Sequence, residues 1–191
     1  MKVMTKANQT QENLLRAYAG ESMARNKYTT FAKIARKEGL EWIARVFEET
    51  ADNERVHAEE EYELIKGAVT APANLEIKAF GKTLDNLKLA AEGEKYEWTT
   101  MYPDFEKVAI AEKEPEAIRL FGNVKKVEAK HEERYIIIST HLSNKDLYDR
   151  EVELEWKCVN CGYVHKGKNP PNICPVCKKP KEWYMPLGLV R

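Results

Sequence analysis

The 191-residue sequence has no net charge, no long apolar run, and only four cysteines and four histidines, and each scarcity excludes something. Thirty-one basic residues balance thirty-one acidic ones. No basic tract interleaved with aromatics offers a phosphate footprint, so general nucleic-acid binding is not expected. The longest apolar runs, such as Ile136 to Ile138, fall far short of a membrane span, and Met1 to Gln11 is polar where a signal peptide would be apolar. A cytoplasmic protein without a membrane or nucleic-acid partner is the expectation. Cysteine is absent outside Cys158 to Cys177. In a reducing compartment so tight a cluster reads as a metal site rather than as two disulfides.

What is present is a charged, helix-forming chain, 43% hydrophobic and 32% charged, which argues for a globular fold over disorder. Leu14, Leu15, Tyr18, Phe31, Ile34 and Ala35 recur at helical spacing over about Thr10 to Lys37, with Gly39 as a terminator. Leu40, Ile43, Ala44, Phe47, Ala51, Tyr62, Leu64 and Ile65 predict a second helix, free of internal proline, up to Gly67. Ala68 to Phe80, with Pro72 and Asn74, is too long for a tight turn and reads as a crossover. A third helix is expected over Gly81 to Lys113, kinked at Pro103, and a fourth from Pro115 to about Leu142. Beyond Ser143-Asn144-Lys145 the period is lost, and Gly162, Gly167, Pro170-Pro171, Pro175 and Pro180 mark a turn-rich unit. The expected architecture is mainly α: a four-helix bundle over 1–146 and a small domain of short strands and turns over 153–191.

Inside the bundle is a repeat. Tyr28, Phe31, Ala35, Glu38, Phe47, Glu54 and His57 recur as Tyr102, Phe105, Ala109, Glu112, Phe121, Glu128 and His131, each pair 74 residues apart. Two related helical hairpins around a shared centre would place like residues face to face. Upstream the offset is 73, since Gly20-Glu21 matches Gly93-Glu94. The third helix therefore carries one extra residue before Tyr102, the sequence mark of a π-bulge, and Glu97 lies in that stretch.

Glu54-Arg55-Val56-His57 and Glu128-Ala129-Lys130-His131 are both Glu-x-x-His, and residues three apart project from one helix face. One copy could arise by chance in so Glu-rich a chain. Two copies at the repeat offset, using two of only four histidines, point to a dinuclear site with Glu21 and Glu94 as further ligands. Carboxylates with one or two imidazoles suit iron or manganese. Tyr28 and Tyr102 are either core tyrosines or hydrogen-bond donors to the ligating carboxylates. His141 and His165 have no such setting and read as surface residues.

Cys158-Val-Asn-Cys161 and Cys174-Pro-Val-Cys177 are two knuckles separated by twelve residues, suited to one metal held by four sulfurs. Spacing alone does not choose between a structural zinc and a one-electron iron. Trp156, Tyr163, Trp183 and Tyr184 would furnish the core of so small a domain.

Taken together, the two Glu-x-x-His motifs, Gly20-Glu21, Gly93-Glu94-x-x-Glu97, Met101-Tyr102-Pro103, Cys-x-x-Cys-Gly-Tyr-Val-His and Cys-Pro-x-Cys resemble the rubrerythrin family over nearly the whole chain. The resemblance implies a ferritin-like bundle with a carboxylate-bridged di-iron site and a rubredoxin-like domain with iron on Cys158, Cys161, Cys174 and Cys177. It implies Glu21, Glu54, Glu94, Glu97, Glu128 and His131 as di-iron ligands, with His57 replacing Glu97 on reduction. It also implies a peroxidase of oxidative-stress defence, NADH-linked through electron carriers, that reduces hydrogen peroxide with electrons from rubredoxin or another donor protein and forms homodimers or larger assemblies. Glu97, His57, Tyr28 and Tyr102 are the residues expected to carry the chemistry. A ferritin-like iron oxidase or iron-handling protein with a structural cysteine-bound metal is the alternative.

Overall fold

The computed structural model describes residues 8–72 and 76–188. The opening of the polar N-terminal stretch and Asn74 of the crossover lie outside the described residues. Five helices, α1 (Gln9–Lys37), α2 (Glu41–Glu63), α3 (Thr83–Tyr96), α4 (Tyr102–Glu112) and α5 (Pro115–Asn144), precede three strands, β1 (Leu154–Cys158), β2 (Val164–Gly167) and β3 (Tyr184–Leu187).

The buried face of α1 is Leu14, Ala17, Glu21, Ala24, Tyr28, Phe31 and Ala35. These steps alternate three and four, the seam of a helix packed in a left-handed bundle. Asn8 caps its start by accepting from the Gln11 N–H. At its end Gly39, at φ +79°, turns the chain into α2. The second helix stops at Glu63, short of Gly67, and the Gln11 side chain satisfies the frayed end by donating to the Leu64 carbonyl and accepting from the Lys66 N–H.

The expected third helix is in fact two. A π-turn, Glu97–Met101, separates α3 from α4. It absorbs the extra residue, so that Glu94 and Tyr102 both face inward despite the longer spacing. Pro103 falls in the first turn of α4, where its missing N–H coincides with an already interrupted hydrogen-bond ladder. Trp98 anchors the turn to α5 by donating to Glu132.

Each hairpin caps the other. Glu112, ending α4, accepts from the N–H groups of Gln9 and Thr10 and from the Thr10 hydroxyl at the start of α1. Glu38, following α1, accepts from the Thr83 N–H at the start of α3. Carboxylates at helix N-termini satisfy orphan donors and meet the positive end of the dipole.

The apolar core is in two parts. One gathers Tyr28, Phe31, Trp42, Ile43, Phe47, Leu87, Tyr135 and Ile138, and the other Leu14, Tyr102, Leu120, Phe121 and Val124. A band of buried carboxylates, Glu21, Glu54, Glu61, Glu94 and Glu128, accompanies them. Truncating an aromatic such as Phe47 to Ala would cost about 3–5 kcal/mol.

In the C-terminal unit β1 is central, with β2 and β3 antiparallel on either side. Trp156, Tyr184, Cys158 and Cys174 are buried there, with Tyr163 and Trp183 against them. Trp42 of α2 donates to the Tyr148 hydroxyl at 2.9 Å, and Val159 and Met185 pack on the bundle core.

Candidate metal centres

The Glu-x-x-His spacing puts Glu54 and His57 on the inner face of α2 and Glu128 and His131 on that of α5. His57 Nδ1 lies 2.9 Å from Glu54 Oε2 and 3.0 Å from Glu128 Oε1. His131 Nδ1 lies 2.7 Å from Glu128 Oε2, 3.4 Å from Glu54 Oε1 and 3.6 Å from Glu94 Oε2. Two ligand sets result: Glu21, Glu54, His57 and Glu128, and Glu54, Glu94, Glu128 and His131, with donor atoms in each within 4.8 Å of one another. Glu54 and Glu128 belong to both, the position of bridging groups.

The polar atoms of this centre converge without pairing. Both oxygens of Glu54 and of Glu128, one oxygen each of Glu21 and Glu94, and Nδ1 of both histidines are buried with no hydrogen-bond partner. Buried carboxylates left so are costly unless a cation holds them, so the donor set fits a pair of metal ions.

The electrostatics have the same origin. Burial, and then the Glu54 charge, push Glu94 up to about 8. Burial opposes charge on His57, but Glu128 and Glu54 outweigh it and raise the imidazole to about 10. The same contest raises His131 to about 12 through Glu128, Glu54 and Glu94. Glu128, although buried, is drawn down to about 2 by the two histidines. The carboxylate cluster calls for positive charge at its centre.

Each tyrosine serves the opposite hairpin. Tyr28 of α1 donates to Glu94 of α3, and Tyr102 of α4 donates to Glu21 of α1. Burial, followed by the adjoining carboxylate, raises both phenols, keeping them protonated donors. Glu97 stands outside both ligand sets. It is half-buried on the π-turn, on the wall of a groove of about 830 Å³ shared with Gly20, Met23, Lys27, Gly93 and Met101. His57 is the histidine of the first set.

Sequence reasoning missed Glu61. It lies one turn after His57 on α2, is fully buried, and its Oε1 is 2.8 Å from the Tyr102 hydroxyl oxygen. Its repeat partner, 74 residues on, is Tyr135. That mismatch within an otherwise faithful repeat was the available signal.

The cysteines also converge. Cys158 and Cys177 sulfurs are 3.6 Å apart, as are those of Cys161 and Cys174, and all four lie within 4.8 Å of one another. Burial disfavours the Cys174 thiolate, but the Cys177 N–H and the Tyr184 hydroxyl bring it down to about 6. Burial raises Cys158 despite its N–H donors. Four sulfurs so close ionise together only around a cation, which fits one tetrahedral metal. His165 sits on β2 and His141 beside Asp146 and Arg150; among the described residues neither joins a metal cluster.

Fold and sites define a class: a ferritin-like bundle with a carboxylate–histidine di-iron site, joined to a rubredoxin-like four-cysteine iron domain. The rubrerythrin family profile matches residues 12–137, and that of the rubrerythrin rubredoxin-like domain matches 156–185. The chain is 41% identical to a rubrerythrin of Porphyromonas gingivalis, covering 95% of this chain and 92% of the relative. It is 38% identical to a rubrerythrin of Nitratidesulfovibrio vulgaris, covering 96% and 97%. Nigerythrin solved in a mixed-valent state superposes with a TM-score of 0.65 at 35% identity, covering 97% of this chain and 90% of that one. The chain belongs to the rubrerythrin family.

Proposed function

We propose that the protein is a di-iron peroxidase that reduces hydrogen peroxide to water with electrons entering through the four-cysteine iron. Residues 1–146 act as the di-iron unit and 153–191 as the electron-entry unit. The observation that carries the reading is the asymmetry at one corner of the site. His57 stands in the ligand set with Glu21, Glu54 and Glu128, while Glu97 waits outside it on the π-turn. Glu97 and a ligating, neutral His57 would offer one ion an anionic and a neutral donor from different helices, a pairing suited to an ion whose charge changes.

Glu54 and Glu128, shared by both sets, would bridge the two ions, Glu21 and Glu94 would ligate from the flanks, and His131 would ligate in the second set. When bound, the iron pair would supply two electrons and Lewis acidity for cleaving the peroxide O–O bond. Tyr28 and Tyr102 keep Glu94 and Glu21 oriented by donating to them. The apolar core clusters beside the carboxylate band keep water from it. Cys158, Cys161, Cys174 and Cys177 present an electron carrier on a domain docked to the bundle through Trp42 and Tyr148. Rubredoxin or a similar NADH-linked donor supplies that carrier. Among the described residues no helix is long and apolar enough to cross a membrane. The reading makes the protein a cytoplasmic homodimer or larger assembly.

The test begins with the absorption spectrum of aerobically purified protein, since iron on four thiolates is red and zinc is colourless. Peroxide consumption is then followed with NADH, a reductase and rubredoxin. Donor-dependent turnover is expected; a colourless domain with iron oxidation but no donor-linked peroxide reduction would establish the iron-handling alternative instead.

A further inference from the structure

Tyr102 has one hydroxyl hydrogen and two carboxylate neighbours. Its oxygen bonds to Glu21 Oε1 and lies 2.8 Å from Glu61 Oε1, with both glutamates fully buried. A phenol can donate once and must otherwise accept. Were both carboxylates ionised, one would set its lone pairs against those of the phenol oxygen at hydrogen-bond distance in a fully buried site. One of the two therefore carries a proton and donates to Tyr102. Glu21 belongs to the ligand set, and a carboxylate must be ionised to ligate. The proton falls to Glu61. Glu61 Oε2 is itself buried without a partner, and among the described residues no Lys or Arg pairs with it.

The opposite corner lacks this arrangement. Tyr28 donates to Glu94, and the repeat partner of Glu61 is Tyr135, whose hydroxyl has no hydrogen-bond partner among the described residues. The file of donors is built on one side of the site only.

We propose that Glu61 is a proton-supplying positioning residue: a neutral carboxylic acid that donates to Tyr102, which donates to Glu21, forming a file that ends at the di-iron centre. The inference rests on the peroxidase reading. Reduction of peroxide breaks the O–O bond and yields two waters, consuming two electrons and two protons. The iron pair, when bound and reduced, would supply the electrons. As the Tyr102 hydrogen shifts toward Glu21 and on to a substrate oxygen, the Glu61 O–H bond breaks and a new Tyr102 O–H bond forms. Glu61 is left as a carboxylate and regains its proton from solvent between turnovers, and the other proton comes from solvent.

Glu61→Gln separates this role from a structural one, because the amide still donates to Tyr102 but has no proton to release. In the iron-loaded full chain, the infrared spectrum of the wild type minus that of Glu61→Gln should show the C=O stretch of a protonated carboxylic acid. Tyr102→Phe should shift that band by removing its hydrogen bond. The variant should keep two irons per bundle yet be oxidised by peroxide at least ~10-fold more slowly after reduction, below the full ~10²–10⁴ of a positioned proton donor because solvent still supplies protons. Should Glu61→Gln lose iron, the Tyr102→Phe shift alone decides. Absence of the band, or a wild-type peroxide rate in an iron-replete Glu61→Gln, would overturn the proposal. A band in a wild-type protein that does not reduce peroxide would instead overturn the peroxidase reading and leave the proton on Glu61.

Discussion

The two helical hairpins of the bundle are near copies, and where they agree they build the container. Glu38 and Glu112 cap each other's hairpin, Tyr28 and Tyr102 reach across to Glu94 and Glu21, and Glu54-His57 mirrors Glu128-His131. Where they differ they make the two ends of the centre unequal. Ala24 in α1 stands opposite Glu97 in the 73-residue register, and Glu61 in α2 stands opposite Tyr135 in the 74-residue register. A symmetric pair of metals needs only the agreements. A site that distinguishes oxidation states, or moves protons from one side, needs the differences.

The strongest way to break the symmetry is at its centre. Glu54→Ala or Glu128→Ala leaves two cations with too few anionic ligands, so iron per bundle should fall toward one or zero by metal analysis. Full loading in Glu54→Ala would remove it as a bridge. Cys161→Ser reaches the opposite part of the molecule. Donor-linked turnover should vanish while the bundle keeps its two irons, since the bundle's buried clusters are distinct from the one around Trp156, which they meet only through partly buried residues such as Tyr148.

Glu97→Ala and His57→Ala probe the unequal corner. Each should slow oxidation of the reduced protein by peroxide far more than by dioxygen, and equal losses with both oxidants would show that the corner confers no selectivity. Tyr28→Phe should cost a factor of ~10–100 in metal affinity or activity, the usual effect of losing a group that orients a ligand.

The smallest effect belongs to the caps. Glu112→Ala strips an acceptor from two N–H groups and a hydroxyl and should cost about 1 kcal/mol in urea unfolding. Burial opposes ionisation of Glu112, but the bonds from Thr10 and Gln9 win and hold its carboxyl below the ordinary 4.5. Because the folded value is depressed, this contribution is complete above the unfolded value and is lost as pH falls through the folded one. The wild type and Glu112→Ala should therefore converge in stability in acid.

The four-helix pattern, the paired Glu-x-x-His motifs and the cysteine knuckles were legible because each is a matter of spacing along one element. The extra residue before Tyr102 was legible as an offset changing from 73 to 74, and it became a π-turn rather than a kink at Pro103. Glu61 was not read, because a Glu one turn after a His in a Glu-rich helix resembles a solvated residue; only the approach of α4 buries it against Tyr102. The partners of Tyr28 and Tyr102 were also hidden, since crossing bonds between hairpins depend on how the hairpins pack. The place of Glu97 relative to His57 required the path of the π-turn.

The central claim is that the unequal corner makes this a peroxide-reducing site, and rapid mixing of the fully reduced wild-type protein tests it most directly. Hydrogen peroxide and dioxygen are each added anaerobically in stoichiometric amounts, and formation of the oxidised iron pair is followed by absorbance. The account predicts that one peroxide oxidises one iron pair, much faster than dioxygen does; oxidation by dioxygen at an equal or greater rate would contradict it.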